Sequence, residues 1–207
     1  MINRFYSKLE PLLQPNKVLV LYGPRRVGKT TLVESFLKTT KLKYRFDSGE
    51  SIRIQEVLGS QDFEKIRQYV ADNELLVIDE AQMIPNIGLG LKIIVDHIPG
   101  IKIIATGSSS FDLANQVGEP LVGRKNTITL YPFAQSELSS SVSRFDMEQR
   151  LEEFLIFGSY PQVLFAPTRD EKIKYLNEIV DAYLLKDVLA LDGVKKSRTL
   201  VDLVRLL

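Results

Sequence analysis

The sequence predicts an α/β fold, in which a parallel sheet is covered by helices on both faces and a helical region follows. Short apolar runs alternate with segments of helical spacing before Pro132. The apolar runs are continuous rather than alternating with polar residues, which is typical of parallel strands buried on both faces. After Pro132 no strong strand pattern returns. These observations define the fold class.

The predicted elements follow one another in the order that a parallel sheet requires. Residues 1–14 carry helical spacing that ends near Pro15. The other core elements are predicted as strands over 18–22, 43–46, 75–78, 101–105 and 127–130, and as helices over 31–38, 51–58, 61–71 and 87–98. Later helices are predicted over 133–138, 147–157, 170–190 and 197–206. The last one reaches Leu207 without a helix-ending signal, so we expect a chain cut from a longer protein.

An eight-residue motif follows the first predicted strand. Residues 23–30 read Gly-Pro-Arg-Arg-Val-Gly-Lys-Thr, a full match to the P-loop pattern G-x-x-x-x-G-K-[ST]. Its glycines let the backbone turn N–H groups inward, and the following helix adds the positive end of its dipole. The alternative is a glycine turn that caps an ordinary helix. The flanking strand and helix favour a nucleotide-binding loop.

The residue types of this loop suit a nucleoside triphosphate and Mg²⁺. Lys29 can reach the β- and γ-phosphates, and the Thr30 hydroxyl can ligate the metal. Arg25 and Arg26 occupy variable positions, where they contact phosphate or pair with surface acids. The predicted nucleotide-binding residues are Gly23, Pro24, Arg25, Arg26, Val27, Gly28, Lys29, Thr30 and Thr31.

Two carboxylates come directly after the apolar run of residues 75–78. An acid at the carboxyl end of a strand beside the P-loop strand projects into the crevice that holds the phosphates. We therefore predict that Asp79 binds the metal and that Glu80 orients or deprotonates the attacking water. The alternative is a strand that ends in a solvated acidic turn. The complete P-loop upstream favours the catalytic interpretation.

The next strand ends in hydroxyl residues, from Thr106 to Ser110. One of them contacts the γ-phosphate or the attacking water, or the segment caps the helix that begins near Phe111. The two interpretations are balanced, and Ser108 is slightly favoured over Thr106 as the contacting residue. Arg124 precedes the last core strand and is a candidate for reaching a γ-phosphate, in cis or from a neighbouring subunit. A solvated loop arginine is the alternative at that position.

The composition excludes several classes of function. The chain has 207 residues and a net charge of +1. This charge is too small to predict binding to nucleic acid or to an acidic membrane surface. The absence of cysteine excludes disulfides and thiolate catalysis. No apolar stretch approaches the roughly 18 residues of a spanning helix, and the N-terminus lacks a signal-peptide core. Nucleotide chemistry without a signal indicates a cytoplasmic protein that has no contact with membranes.

Several motifs in order give the chain a family resemblance. Gly-Pro-Arg-Arg-Val-Gly-Lys-Thr-Thr, Val-Ile-Asp-Glu-Ala-Gln-Met-Ile-Pro, Ile-Ala-Thr-Gly-Ser-Ser-Ser, Val-Gly-Arg and Leu-Tyr-Pro-Phe-Ala-Gln-Ser-Glu-Leu occur one after another. Together they resemble prokaryotic AAA+ ATPases of the AAA_14 type, over nearly the whole chain. The later segments Phe-Gly-Ser-Tyr-Pro-Gln-Val and Tyr-Leu-Leu-Lys-Asp-Val-Leu resemble the linking region of those proteins.

The resemblance implies a domain plan and two site residues. It implies an AAA+ P-loop core with sheet order 5-1-4-3-2 over residues 1–132, a helical lid and linker over 133–196, and the start of a truncated C-terminal domain over 197–207. That further domain, usually DUF4143, is then essentially absent. The resemblance also favours Arg124 as an arginine finger and Ser108 as a sensor.

The leading functional prediction is an ATP-binding protein that hydrolyses ATP with Mg²⁺ and couples hydrolysis to a conformational change. The alternative is a STAND-like signalling switch that holds ATP or ADP and turns over rarely. A small-molecule kinase is disfavoured because Glu80 follows Asp79 directly, and a water-activating base favours hydrolysis over transfer. The expected partners are a homo-oligomer, and a nucleic acid or protein bound through the missing C-terminal domain.

Overall fold

The computed structural model describes residues 2–108 and 120–180, which divide into two compact units. The first unit comprises residues 3–131. It contains strands β1 (Lys17–Tyr22), β2 (Tyr44–Ser48), β3 (Leu75–Asp79), β4 (Lys102–Gly107) and β5 (Lys125–Thr129). The other unit begins at Pro132 and includes residue 2.

The five strands form one sheet in the order β2-β3-β4-β1-β5. All four strand pairs are parallel, as in the register that sets Val20 of β1 beside Ala105 of β4. This order is 5-1-4-3-2 read from the other edge, so the predicted α/β fold and sheet order are confirmed. The central strands β1, β3 and β4 bury their apolar runs, which is why those runs are continuous.

Helices of the first unit cover the sheet from two sides. They are α1 (Lys29–Leu37), α2 (Ile52–Leu58), α3 (Phe63–Val70) and α4 (Ile87–His97). The chain crosses from β1 outward to the edge strand β2 and then returns through β3 to β4. Since parallel connections are right-handed, this reversal puts α1 on one face and α2 to α4 on the other. Buried residues of α2 to α4 accordingly pack with Val18 and Val20 of β1 in one apolar cluster.

The helix predicted over residues 1–14 is wrong. In the described part of this segment, residues 2–14, the only helical element is a short 3-10 turn, Glu10–Leu12. Pro11 lies within that turn, and a longer helix would place its ring against the preceding turn and lose one hydrogen bond. Leu9 is fully buried, whereas Phe5 is 80% exposed, so the apolar residues of this segment do not share one buried face.

The second unit is helical in its described part. Its helices are α5 (Gln135–Leu138), α6 (Arg144–Gln149), α7 (Leu151–Phe157), α8 (Pro161–Phe165) and α9 (Arg169–Ile179). The helix predicted over 147–157 is interrupted at Arg150, whose φ of −96° and ψ of 9° are not helical. The short α8 was not predicted. The end of the predicted helix 170–190 and all of 197–206 lie outside the described residues.

Two kinds of contact hold the second unit together. Phe133, Leu138 and Phe154 form a small apolar cluster. Glu153 of α7 accepts hydrogen bonds from Arg150 and from the nearly buried Lys172 of α9. Along residues 2–108 and 120–180, no helix combines the length and the apolar character that crossing a membrane requires.

Candidate nucleotide-binding site

The P-loop connects the end of β1 at Tyr22 to the start of α1 at Lys29. Gly28 has φ 97°, a backbone conformation that residues with a Cβ rarely adopt. A Cβ at Gly23 would lie 2.1 Å from the backbone oxygen of Leu130, so only glycine fits there. The sequence analysis explained both glycines by the backbone conformation of the loop. The close approach to the strand end beyond β5 adds a second reason for Gly23.

Lys29 lies over the loop with its ammonium group already engaged. Its side chain is 5% exposed, and Nζ donates to the backbone oxygens of Gly23 at 2.9 Å and Pro24 at 3.1 Å. Burial lowers the pKa of Lys29, while the negative charges of Glu80 and Asp79 oppose that shift. The two carboxylates therefore help to keep a buried ammonium group charged.

One carboxylate joins three elements of the site. Thr30 on α1 donates through Oγ1 to Oδ2 of Asp79 at 2.8 Å. Thr106 at the end of β4 donates through Oγ1 to Oδ1 of the same carboxylate. The strand register explains the second contact, because Ile78 pairs with Ala105 and the next residues then lie side by side. Asp79 thus has one hydroxyl donor for each of its oxygens.

Thr106 and Ser108 are both buried near the carboxyl end of β4. Thr106 is fully buried and contacts both acids, since its Oγ1 also accepts from the backbone N of Glu80 at 3.3 Å. Ser108 is 2% exposed and follows β4. Its role toward the phosphate stays a prediction. Sequence reasoning could not separate the two hydroxyls because their difference depends on the register of β3 and β4.

Glu80 has a left-handed backbone, with φ 49° and ψ 44°, where β3 turns into a 3-10 turn, Ala81–Met83. Its carboxylate oxygen Oε2 accepts a hydrogen bond from Nε2 of Gln82. Sequence reasoning did not single out Gln82. The available signal was its place in the segment Val-Ile-Asp-Glu-Ala-Gln-Met-Ile-Pro, two residues after Glu80.

Arg4 is a second residue that the sequence did not indicate. Its Nη2 donates to the backbone oxygen of Val27 in the P-loop at 2.6 Å and to that of Tyr131 at 2.9 Å. Val27 itself is fully buried. Arg4 therefore links the N-terminal segment to the loop. Thr31, in the first turn of α1, and Arg26, in the loop, are exposed to solvent.

Arg124 does not join this group within one chain. It precedes β5, and its backbone oxygen accepts from the N–H of Val18 near the start of β1. The amino ends of the parallel strands lie at the opposite end of the sheet from the P-loop, which follows the carboxyl end of β1. The Arg124 guanidinium donates instead through Nε to Oδ1 of Asp96 on α4 at 2.5 Å. A role toward a neighbouring subunit stays a prediction.

The oxygen ligands present suit Mg²⁺. Thr30 and Asp79 offer a hydroxyl and a carboxylate, and the described residues contain no group of three or more His, Cys, Asp or Glu side chains that could hold a metal ion by itself. Mg²⁺ takes oxygen ligands and usually binds through one or two carboxylates together with phosphates and water. The donor set therefore fits this ion better than a metal that needs an all-protein cage.

Comparison with protein families settles the relationship. The AAA_14 family, described as an AAA domain, matches residues 15–139. The chain belongs to the AAA_14 family. The matched segment contains the P-loop, both acids and all five strands. The family match and the observed fold therefore concern the same part of the chain. The resemblance stated from the sequence is confirmed.

The C-terminal part of this AAA_14 chain has a separate match. Residues 148–207 match DUF8612, described as a domain of unknown function. This match crosses residue 196, where the lid was predicted to end. The boundaries 1–132, 133–196 and 197–207 stay predictions.

The similar proteins are longer than this chain. An uncharacterized protein of Methanocaldococcus jannaschii is 25% identical over 202 residues, which cover 90% of this chain and 45% of that protein. Uncharacterized proteins of Mycobacterium tuberculosis and Mycobacterium bovis are 24% identical over 190 residues, or 91% of this chain and 40% of theirs. The chain thus spans less than half the length of these curated relatives.

A solved structure shares the fold. The Walker-type ATPase of Pyrococcus abyssi superposes with a TM-score of 0.52 at 18% identity. The alignment covers 83% of this AAA_14 chain and 69% of that protein. At this identity the likeness shows the fold.

Proposed function

We propose that this AAA_14 chain binds ATP with Mg²⁺ at the P-loop and hydrolyses it to ADP and phosphate. The observation that carries the proposal is the hydrogen bond of 2.8 Å between Thr30 and Asp79. It brings the hydroxyl that follows the P-loop lysine to the carboxylate at the end of β3. A hydroxyl and a carboxylate at this spacing can share one metal ion once the hydrogen bond between them opens.

Lys29 and the loop backbone bind the triphosphate in this proposal. Nζ of Lys29 donates to two backbone oxygens of the loop. Phosphate oxygens are stronger acceptors for an ammonium group than neutral carbonyls, because both partners are charged. The same group can therefore turn to the β- and γ-phosphates. Gly28 and the start of α1 add backbone N–H donors for the anion.

Thr30 and Asp79 would hold Mg²⁺, which supplies charge neutralisation at the phosphate oxygens when bound. Thr106 fixes the second oxygen of Asp79 and leaves Oδ2 directed to Thr30. Glu80 accepts a proton from water while the water oxygen bonds to the γ-phosphorus. The bond from that phosphorus to the β–γ bridging oxygen breaks, and ADP leaves with its electron pair.

We further propose that hydrolysis drives a conformational change in an assembly of identical subunits, with Arg124 acting across the interface. Arg124 lies at the amino ends of the strands, away from the P-loop of its own chain, and this position supports a role in trans over one in cis.

ATP titration and phosphate release on the wild-type chain, each with and without Mg²⁺, test the proposed function. Saturable ATP binding with Mg²⁺-dependent phosphate release is the expected result. Tight binding with almost no turnover would favour the signalling switch instead. Absence of ATP binding at millimolar concentration would contradict both.

A further inference from the structure

The side chain of Glu80 has a dedicated partner in the loop that follows β3. Nε2 of Gln82 donates a hydrogen bond to Oε2 of Glu80. The other polar atom of the same amide, Oε1 of Gln82, is buried and has no hydrogen-bond partner among the described residues. A glutamine retained to stabilise a fold usually has both polar atoms paired when they are buried. Here only the atom that reaches Glu80 is paired.

The backbone around this pair is fixed on several sides. The N–H of Glu80 donates to Thr106 Oγ1 at 3.3 Å, and its carbonyl oxygen accepts from the N–H of Met83 at 3.0 Å. Ala81 and Ile84, on either side of Gln82 and Met83, are fully buried. These contacts anchor the turn to β3 and β4 and hold Gln82 beside Glu80.

The chemistry of an amide suits the task of orienting a base. A neutral N–H donor holds one oxygen of a carboxylate in place and leaves the other oxygen to accept a proton. A lysine at the same position would add a full positive charge and make the carboxylate a weaker base. A carboxylate there would repel Glu80. Glutamine can therefore orient the Glu80 carboxylate without adding a full charge beside it.

We propose that Gln82 is the positioning residue for Glu80 in ATP hydrolysis. This inference rests on the proposed function, in which Glu80 activates the attacking water. In this role Gln82 acts only through the Glu80 carboxylate. Its loss should therefore lower turnover and leave nucleotide binding unchanged.

The test compares kcat and KM for ATP in two variants of the full chain. Gln82→Met keeps the length of the side chain and removes both polar atoms, and Gln82→Glu replaces the donor by a repelling acceptor. Each should lower kcat about 10- to 100-fold, the range for losing a group that orients a catalytic ligand. KM and the calorimetric affinity for ATP with Mg²⁺ should change less than about threefold, which is well below the expected loss in kcat. Gln68→Met, at an exposed site on α3, is the matched control and should retain wild-type kcat.

A double-variant cycle separates positioning from a structural role. If Gln82 acts only through Glu80, the residual rate of Glu80→Gln should be the same with and without Gln82→Met. A further loss in the double variant would overturn the inference, as would a wild-type or raised kcat in Gln82→Met. Those outcomes leave the proposed ATPase intact. A wild-type chain that releases no phosphate would overturn both.

Discussion

Thr106 donates its hydroxyl hydrogen to the carboxylate of Asp79, although the two residues lie on neighbouring strands joined through α4. The same oxygen of Thr106 accepts the backbone N–H of Glu80. One hydroxyl therefore sets the orientation of the predicted metal ligand and of the backbone that carries the predicted base. The fully buried position of Thr106 makes both contacts costly to lose.

Replacing Thr106 tests this link. Thr106→Val keeps the shape and removes the hydroxyl, which leaves the N–H of Glu80 and one oxygen of Asp79 without their partner. Leaving buried groups unpaired costs about 1–3 kcal/mol, so the free energy of unfolding should fall by that amount. Denaturant unfolding measures it, and the Mg²⁺-dependent part of ATP affinity should fall as well. Thr127→Val on β5, where the side chain is exposed, should change neither.

Lys29→Ala should abolish most of the affinity for ATP. The substitution removes the buried ammonium group that lies over the P-loop and leaves the loop backbone without its donor. Isothermal calorimetry with ATP and Mg²⁺ measures the change. Equal affinities of wild type and variant would contradict the assignment of the P-loop as the nucleotide site.

Asp79→Asn should weaken binding only where Mg²⁺ contributes. The amide keeps the size of the carboxylate but loses the negative charge that a divalent cation needs. ATP affinity measured with Mg²⁺ and with excess chelator should differ in the wild type and be nearly equal in the variant. An unchanged Mg²⁺ effect in Asp79→Asn would remove this residue from the metal site.

Glu80→Gln should bind ATP as the wild type does and hydrolyse it more slowly. The amide preserves the shape at this position and cannot accept a proton from water. General-base contributions lie at about 10²- to 10⁴-fold in rate, which sets the expected loss in kcat. Phosphate release at saturating ATP is the measurement. Wild-type turnover would show that another group activates the water.

Arg124→Ala should reduce turnover while ATP affinity stays near that of the wild type. An arginine finger is worth on the order of 10³-fold or more in rate. Mixing Arg124→Ala subunits with Glu80→Gln subunits should restore activity, because some interfaces would then join an intact Glu80 to an intact Arg124.

Two controls separate the roles open to Arg124. Arg144→Ala removes an exposed arginine that pairs with Glu148 at 3.0 Å, and it should leave turnover unchanged. Loss of rate in Arg124→Ala without rescue in mixtures would indicate action within one subunit. Wild-type turnover in Arg124→Ala would mean that the pair with Asp96 is only a surface ion pair.

The prediction from sequence was strongest where a pattern is local. The P-loop needs consecutive residues, and the acids follow an apolar run directly, so both could be located without knowing the fold. It was weakest where a role depends on a partner distant in the chain. Arg4 lay in no motif, and Gln82 lay in a motif that was interpreted only for its two acids, so their contacts became visible only when the N-terminal segment and the turn after β3 were placed.

The sequence by itself determined the family, the parallel sheet and the position of the loop and the two acids, because short-range periodicity and motif spacing encode them. Only the tertiary structure decided that the hydroxyl of Thr106 meets Asp79, since the register of β3 and β4 brings these residues side by side. It also decided that Arg124 lies at the far edge of the sheet from its own P-loop. Arg124 lies there because β5 pairs in parallel with β1, so the residues before β5 lie at the amino end of β1. Strand pairing of this kind is a long-range property of the folded chain.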